Sequence, residues 1–440
     1  MSFSSSAETQ LAIIEEADWG VTPVTPEFQR IRSTGEGLSS GLESETSSEF
    51  SPIPDATDLI ITGATADGDV NFELSYGTDF DIILSHGLRG TFTEWGQLVG
   101  AAEQKSMTIE KRFATPSDDT PYKYFRYPGC RVNSLSIDVV ESAKFEGTME
   151  VMARNEETIG TAIIAGATYL APNANPIMSA PQIRNVKLGV VGADCYVFKD
   201  ISFNIDNGAR NQTGFSTCFT GPFPDLEAKG IAYGRREITG SLTSYFSDET
   251  LYNAFKSNVY TWMMFDLSDG TNAYRVFIPR LKFSDGSTNA SDNNSDIESA
   301  LEWTATLSAD FNTAMIISGL ENVTDDAIDI VRTLGVGAGF GRYFKTAEVI
   351  NTKAVYVSYD GAYAIWNDAT NWNVTTLADK DLEDATDAFQ TTDDIEAGPV
   401  ADTAWAPTGT FVGSDIRSQL FEPGATITDA TDFKVISNDV

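Results

Sequence analysis

The first candidates for chemistry in this sequence are its single histidine, His86, and its three cysteines, Cys130, Cys195 and Cys218. A Cys–His dyad would require one of these scattered thiols to reach His86 in the fold. The cysteines form no CxxC pair, and one histidine cannot build a His-rich zinc or iron site within a chain. We interpret the cysteines as reduced thiols. We interpret His86 as a structural residue near a helix end, where the helix dipole favours a partly charged imidazole.

Two loop-like segments resemble ligand-binding motifs but lack the required spacing. Asp285, Asp292 and Asp296 could hold calcium, yet their spacing does not match a twelve-residue EF-hand loop, so an ordinary polar loop is the alternative. In Gly335–Gly341 a glycine occupies every second position. Phe340 breaks the GxGxxG pattern, and no Lys-Ser or Lys-Thr follows, so this segment is predicted to be an interdomain hinge.

The acidic segment Asp379–Asp387 is the remaining candidate for carboxylate chemistry. Nothing apolar flanks it to raise the pKa of a carboxyl group, so a solvated face is the better interpretation. No nucleophile, base and orienting group can be assembled from the sequence. We therefore predict no catalytic, cofactor-binding or metal-ligating residue, no cofactor, and no enzymatic activity.

The charge balance limits the possible partners. The 440 residues include 64 acidic and 29 basic ones, for a formal net charge of −35. A chain this acidic is not expected to wrap nucleic acid, because phosphate binding needs clustered Lys and Arg, although it could repel nucleic acid. Solubility in a salty habitat would equally explain the charge. No signal peptide or membrane span is predicted, so the chain is expected in the cytoplasm unless a larger assembly carries it out.

The elements that could position side chains are organised around the segment Gly68–Leu88. Val70, Phe72 and Leu74 alternate with polar residues, which predicts a half-buried strand. The period then becomes helical from Thr78, a good N-cap, to Leu88, with Gly87 suited to the helix end. The apolar face of this helix is formed by Phe80, Ile83, Leu84 and Leu88.

The same strand-then-helix pattern returns about 168 residues later, in Arg236–Asn258. Ser247 takes the place of Thr78 as the N-cap, and Leu251, Tyr252 and Phe255 form the apolar face. Further matches occur in the same order. They are FQRI at Phe28–Ile31 with FKDI at Phe198–Ile201, SPIPD at Ser51–Asp55 with GPFPD at Gly221–Asp225, and Arg126 and Arg131 with Arg275 and Arg280. We infer an internal duplication.

The chain is predicted to be mainly β, with two tandem sandwich or barrel units that each carry one flanking helix. Residues 1–26 are predicted to be an extended arm, weakly helical at Leu11–Ala17, that lies on a neighbour through Trp19. The first unit spans 27–160, a linker 161–183 and the second unit 184–318. Each unit has a polar hairpin excursion, Ala114–Pro121 and Ser284–Asp296 respectively. Residues 319–440 are predicted to be a separate, surface-exposed β domain with a short acidic helix at Asp379–Phe389.

The first unit resembles a known protein family. The similarity runs from Ala17 (ADWGVTPVTPEFQRIRSTGEGL) through SSEFSPIPDATDLIITGATADGDVNFELSYGTDFDIIL to FRYPGCRVNSLSIDV. These segments resemble the tail tube proteins of bacteriophages with long, non-contractile tails (the siphophage major tail proteins). The resemblance covers residues 10 to about 160 directly and 184–318 through the duplication. It does not extend over the last domain, and some members carry immunoglobulin-like or other decoration domains there.

The resemblance implies a structural subunit whose sheets join around a ring into one inner barrel, with rings stacked into a hollow tube. Such rings normally have six barrel-forming units, so three chains with two units each would close a pseudo-hexameric ring. The lumen would conduct double-stranded DNA, in transit and without specific binding, past an acidic lining that includes Glu73. The N-terminal arm and the hairpin loops would bridge stacked rings, although mobile solvent-facing tips are the simpler interpretation of the loops.

The implied partners are other copies of the chain, the tape measure protein in the lumen, and the tail terminator and distal tail proteins. Membrane insertion is not implied. The implied location is the virion tail, assembled in the host cytoplasm. The alternative function is an acidic multi-domain β binding module that recognises a surface glycan or protein. Its stacking residues would be Trp366, Trp372 and Trp405 in the last domain.

Overall fold

A computed structural model of the chain describes residues 4–50, 52–53, 55–93, 96–115, 122–157, 159–189, 197–214, 227–246, 249–289, 296–309 and 311–320. Beyond residue 320 it describes the backbone of eight strands. The described chain is mainly β, as predicted from the sequence.

The strands and helices of the first part of the chain are β1 (Gln10–Glu15), β2 (Glu27–Arg30), β3 (Ser33–Glu36), β4 (Ser39–Thr46), β5 (Leu59–Glu73), α1 (Thr78–Leu88), β6 (Gln97–Val99), β7 (Met107–Ala114), β8 (Tyr122–Val140), β9 (Glu146–Met152) and β10 (Thr168–Leu170). Those of the second part are β11 (Arg184–Leu188), β12 (Phe198–Asp206), β13 (Arg210–Gln212), β14 (Gly230–Ala232), β15 (Glu237–Tyr245), α2 (Thr250–Lys256), β16 (Thr261–Ser268), β17 (Ala273–Asn289), β18 (Glu298–Ala305) and β19 (Ile316–Leu320). Short 3-10 turns occur at Ser6–Glu8 and Ala180–Gln182.

The first unit is built on two consecutive hairpins. β7 pairs with β8, β8 with β9, and β9 with β5, all antiparallel. The other edge of β5 carries β3 and β4, while β1 covers the outer edge of β7. Helix α1 packs on β8, where Gly87 is required because a Cβ there would lie 2.5 Å from Cδ2 of Leu135.

The second unit repeats this pairing scheme. β16 pairs with β17, β17 with β18, β18 with β15 and β15 with β12, again all antiparallel. β11 covers β16 as β1 covers β7. The order β1-β7-β8-β9-β5 is therefore equivalent to β11-β16-β17-β18-β15, and β3, on the other edge of β5, corresponds to β12 on the other edge of β15. Helix α2 follows β15 as α1 follows β5, with Leu251 buried and Tyr252 and Phe255 partly buried.

The helix predicted from Thr78 to Leu88 has those bounds, but its two ends differ from the sequence prediction. Gly77, not Thr78, is the N-cap, and no side chain caps the first turn. At the C-terminus Arg89, not Gly87, takes the left-handed conformation, with φ 52°. Gly87 serves packing rather than capping, which local sequence could not distinguish. In the second helix the prediction of Ser247 as the N-cap is wrong, because α2 begins at Thr250 and its N-cap is Glu249.

The N-terminal segment lies within the first unit rather than extending from it. Gln10–Glu15, where the sequence weakly predicted a helix, is a strand between β2 and β7 with Leu11, Ala12 and Ile13 buried. Nε1 of Trp19 donates to the carbonyl of Gly129 of the same chain at 3.0 Å. The helical prediction was wrong because a short apolar run is compatible with both structures, and sheet partners decide between them.

The predicted linker lies on the surface of the first unit. β10 pairs in parallel with β2, and Nδ2 of Asn173 donates to Oδ1 of the buried Asp79 at 2.6 Å. Asn175 donates from its side chain to the carbonyl of Tyr76 at 2.7 Å. Residues 161–183 thus support the N-terminal end of α1 and cover β2.

One strand continues through a proline, and one predicted boundary is corrected. β8 runs from Tyr122 to Val140 without a break, because Pro128 and Gly129 make a bulge instead of a strand end. The polar excursion predicted to begin at Ser284 begins later, since β17 continues to Asn289. Residues 116–121 and 290–295, the centres of both excursions, lie outside the described residues.

The last part of the chain forms a separate antiparallel sheet in the order β26-β25-β24-β23-β22-β21-β20-β27. Its strands are β20 (Ala327–Arg332), β21 (Gly341–Ile350), β22 (Lys353–Ser358), β23 (Tyr363–Asn367), β24 (Trp372–Thr376), β25 (Phe389–Thr391), β26 (Ala406–Pro407) and β27 (Phe433–Ser437). β-structure was predicted for this part of the chain, and these eight strands have it. The helix predicted at Asp379–Phe389 ends at a residue of β25, and the rest of that segment lies outside the described residues.

Candidate functional surfaces

The two units are joined into one continuous sheet by an antiparallel pairing between β8 and β12. Asp200–Asp206 lies opposite Ser134–Val140, with Ser136 directly facing Asn204. The resulting strand order is β4-β5-β9-β8-β12-β15-β18-β17, which crosses from the first unit into the second without a break. A surface feature of this sheet therefore belongs to both units.

One face of this sheet is the hydrophobic core. Its apolar side chains are buried in every strand from β5 to β17, and they include Val70, Phe72, Met149, Leu135, Ile137, Phe203, Ile205, Leu242, Leu301, Trp303 and Phe283. The alternation predicted for β5 is confirmed. The core is continuous through the junction, because residues of both units belong to a single buried cluster.

The opposite face is polar along its whole width, and its side chains line up in rows across the strands. One row is Asn71, Thr148, Ser136, Asn204, Thr239, Thr304 and Lys282. The next row is Glu73, Glu146, Asp138, Ser202, Ser241, Glu302 and Asp285. All of these side chains are exposed or partly exposed. We call this surface the polar face.

The polar face is strongly acidic. Besides the carboxylates of the second row it carries those of a third row. This row consists, in order across the strands, of Asp69, Glu150, Ser134, Asp206 and Glu237. Partial burial, with Glu146 and Asp200 nearby, raises the pKa of Asp138. Lys144 offsets part of the charge by bonding to Glu73 and Glu146. A negative surface of this kind repels phosphate groups.

The continuous sheet has an open strand edge at each of its two ends. The C-terminal half of β17 pairs with β18 on one side, and β3 pairs with β5 on one side. Within the described part of the chain no strand covers their other edges. Their equivalents in the opposite unit, β8 and β12, cover each other in the junction. Each open edge is therefore equivalent, in the other unit, to a strand edge that is paired in the β8–β12 junction.

Helix α1 provides a second contact between the units. The hydroxyl of the buried Tyr274, on β17, donates to Oδ1 of Asp81 at 2.7 Å and lies 3.2 Å from the backbone nitrogen of Gly77. The ring of Tyr274 packs on Tyr76, with centroids 4.9 Å apart. β19 of the second unit also pairs with β6 of the first. The junction is therefore fixed by both backbone and side-chain contacts.

The arginines matched in the sequence occupy equivalent places. Arg126 on β8 faces Glu110 on β7, with Nε 2.5 Å from Oε2. Arg275 on β17 faces Asp266 on β16, with Nε 2.8 Å from Oδ1 and Nη2 2.9 Å from Oδ2. An acid–arginine pair across the first hairpin is therefore common to both units, which supports the inferred duplication.

His86 is a buried structural residue. It is not charged, whereas the sequence suggested a partly charged imidazole. Its Nδ1 lies 2.9 Å from the carbonyl oxygen of Ile82 and its Nε2 3.4 Å from that of Ser106. Burial lowers the pKa of His86 below its ordinary value of 6.5 despite the dipole of α1 and the carboxylate of Glu15 nearby. The sequence could not show that the helix end is enclosed.

This burial predicts a pH dependence of stability. Below pH 6.5 the unfolded chain binds a proton at His86 that the folded chain does not, so the free energy of unfolding should decrease as the pH falls from 6.5. Urea denaturation at pH 7.5, 6.5 and 5.5 would measure the decrease. His86→Gln should be less sensitive over this range, and an equal pH dependence in both proteins would contradict the assignment.

The other predicted sites are only partly described. Cys130 is buried, and burial raises the pKa of its thiol, whereas Cys195 and Cys218 lie outside the described residues. Asp285 accepts from the backbone nitrogen of Gly286 at 2.7 Å. Among the described residues no cluster of His, Cys, Asp and Glu could hold a metal ion. Neither described helix is long and apolar enough to cross a bilayer.

The side chains of the remaining candidate residues are not described by the structure. Asp292, most of Gly335–Gly341 and Trp405 lie outside the described residues. Trp366 and Trp372 lie on the paired strands β23 and β24, of which only the backbone is described. The binding-module hypothesis therefore stays a prediction.

Sequence reasoning identified Glu73 but not the rest of the polar face. The signal was present, because β9, β12 and β15 also alternate polar and apolar residues. Which strands are neighbours was not visible in the sequence, so the rows could not be assembled.

Comparison with known proteins gives one result for this chain. A family model described as "Phage tail tube protein" matches residues 6–305, which include the first unit and the second unit as far as the end of β18. No curated protein matches the chain.

Proposed function

The chain belongs to the phage tail tube protein family, and we propose that it forms the tube from trimeric, pseudo-hexameric rings. Family membership makes it a structural component of the virion tail. In our proposal each copy supplies two equivalent tube units, so three copies supply the six units of a ring. We further propose the polar face as the lining of the lumen.

The observation that carries this proposal is the β8–β12 junction together with the two open edges. The junction shows how the second unit docks onto the first within one chain. Repeating the same contact between chains would pair β17 of one copy with β3 of the next. Such a head-to-tail contact produces a closed ring when its rotation divides a full turn, and it removes the exposed edges.

The proposed lumen follows from the same arrangement. A sheet that curves into a ring with its core on one side must place the polar face on the other side. Because this face is acidic, DNA in transit would be repelled from the wall rather than held by it. The tape measure protein would occupy this lumen before DNA, and tail terminator and distal tail proteins would contact the ends of the tube.

Contacts between stacked rings are proposed for the hairpin formed by β4 and the start of β5. Every residue of β4 is exposed, as are Leu59, Ile60 and Ile61. Apolar side chains on an unsupported hairpin favour a partner surface. The domain of residues 319–440 is proposed to project outward from the ring. Because the family forms phage tails, we also propose that the tube assembles in the host cytoplasm.

Negative-stain microscopy of the purified full-length chain tests the proposal. We expect rings or tubes whose class averages show threefold symmetry with six similar lobes around a central channel. A chain shortened after residue 320 should give thinner tubes, because the outward domain is absent. Dispersed compact particles, or rings of six complete chains, would contradict the trimeric arrangement.

A further inference from the structure

A cavity of about 230 Å³ lies on the first unit, away from the polar face. It is formed by the outward sides of β1, β2, β7 and β8 and is covered by part of the linker. Its lining residues are Gln10, Ala12, Arg30, Glu110, Arg112, Tyr124, Ile163 and Tyr169. The small side chain of Ala12 leaves room above the centre of the sheet, where two arginines, Arg30 and Arg112, line the same cavity.

The positive charge in this cavity exceeds the negative charge. Glu110 is fully engaged, because Oε2 accepts from Nε of Arg126 at 2.5 Å and Oε1 accepts from the hydroxyl of Tyr169. The side chains of Arg30 and Arg112 make no hydrogen bond or ion pair with the residues that the structure describes, and the Nε of each is buried without an acceptor. Two unneutralised guanidinium groups therefore line a cavity in a protein of net charge −35.

Further donors are available in the same cavity. The hydroxyl of Tyr124 stays protonated, since burial raises its pKa. Gln10 lies directly opposite Arg112 in the pairing of β1 with β7 and can add an amide donor. Rings position the two guanidinium groups, with Arg30 5.4 Å from the ring centre of Tyr169 and Arg112 4.3 Å from that of Tyr122. The arrangement offers donors and lacks a free acceptor carboxylate.

We propose that this cavity binds an oxyanion of the carboxylate or phosphate type, held by Arg30 and Arg112. Guanidinium groups match the planar geometry of carboxylate and phosphate oxygens and bind them by charge-assisted hydrogen bonds. The volume accommodates an oxyanion with a few waters, each of which needs about 30 Å³. The anion comes either from an acidic side chain of a second copy of the chain or from free solute.

Isothermal titration of the full-length chain with inorganic phosphate, at constant ionic strength, tests the site. We expect saturable binding with one site per chain, and at least a tenfold loss of affinity in Arg30→Gln/Arg112→Gln. The control is Arg210→Gln, which removes the same kind of charge from an exposed position outside the cavity. Phosphate binding that is equal in all variants would overturn the proposal.

A second variant avoids the possibility that the double substitution disturbs folding. Gln10→Glu places a carboxylate opposite Arg112 with almost no change in shape. It should raise the melting temperature relative to the wild type and abolish the further rise that phosphate produces in the wild type. A variant that is no more stable and still responds to phosphate would also overturn the proposal.

Assembly distinguishes the two sources of the anion. If an acidic side chain of a second copy is the occupant, Arg30→Gln/Arg112→Gln should reduce tube formation seen by microscopy, and added phosphate should compete with assembly. If free solute is the occupant, tubes should form normally while phosphate binding is lost. Unchanged assembly together with no phosphate binding by the wild type would exclude both sources.

Discussion

Replacing Asp266 with alanine is expected to lower the free energy of unfolding by about 3–5 kcal/mol. Asp266 and Arg275 are 0% and 2% exposed, and two hydrogen bonds of 2.8 and 2.9 Å join them. Without the carboxylate, the guanidinium stays buried and loses these two charge-assisted hydrogen bonds. Urea denaturation followed by tryptophan fluorescence should report the loss, since Trp303 is buried in the core of the same unit.

The double variant Asp266→Leu/Arg275→Met separates the cost of removing one partner from the value of the pair. Replacing a buried ion pair by apolar side chains of similar volume is often neutral or stabilising. The double variant should therefore recover most of the stability lost in Asp266→Ala. A small loss in the single variant, or an equally large loss in the double variant, would show that the pair is not desolvated as described.

Cysteines introduced on the two open edges are expected to link chains into covalent species that end at three copies. One cysteine would replace Lys282 on β17, which lies in the same row of the polar face as Ser136, and the second would replace each residue of Ser33–Glu36 in turn. Oxidation of the assembled protein should trap the best-matched register, because cysteines directly opposite on antiparallel strands lie within disulfide distance. Non-reducing gels would count the chains. The background would carry Cys195→Ser and Cys218→Ser.

The chain supplies its own matched control for this experiment. Ser136 and Asn204 are directly opposite in the β8–β12 junction, so Ser136→Cys/Asn204→Cys should form a disulfide within one chain and leave a monomer on the gel. Each single-cysteine variant should give no species larger than a dimer. A ladder that continues past three chains would indicate a different closure, and no link in any register would exclude this edge contact.

A comparison of the two units shows how one pairing scheme tolerates different side chains. In the first unit the ring of Phe72 on β5 lies against Gly147 on β9, where a Cβ would be 2.6 Å from the ring. In the second unit the order is reversed, with Gly240 on β15 and Trp303 on β18. An aromatic ring and a glycine fill the space in both cases. Sequence matching at single positions cannot detect such an exchange.

The amino-acid sequence by itself determined the mainly β class, the bounds of α1, the duplication, the acidic character and the buried side of β5. These properties depend on the local period of polar and apolar residues and on composition, which neighbours in the fold do not alter. Only the tertiary structure decided that Gln10–Glu15 is a strand, that β8 pairs with β12, and that Arg30 and Arg112 share a cavity. Each of these depends on backbone partners far away in the chain, and a strand's local pattern states which side is apolar but not which strand lies next to it.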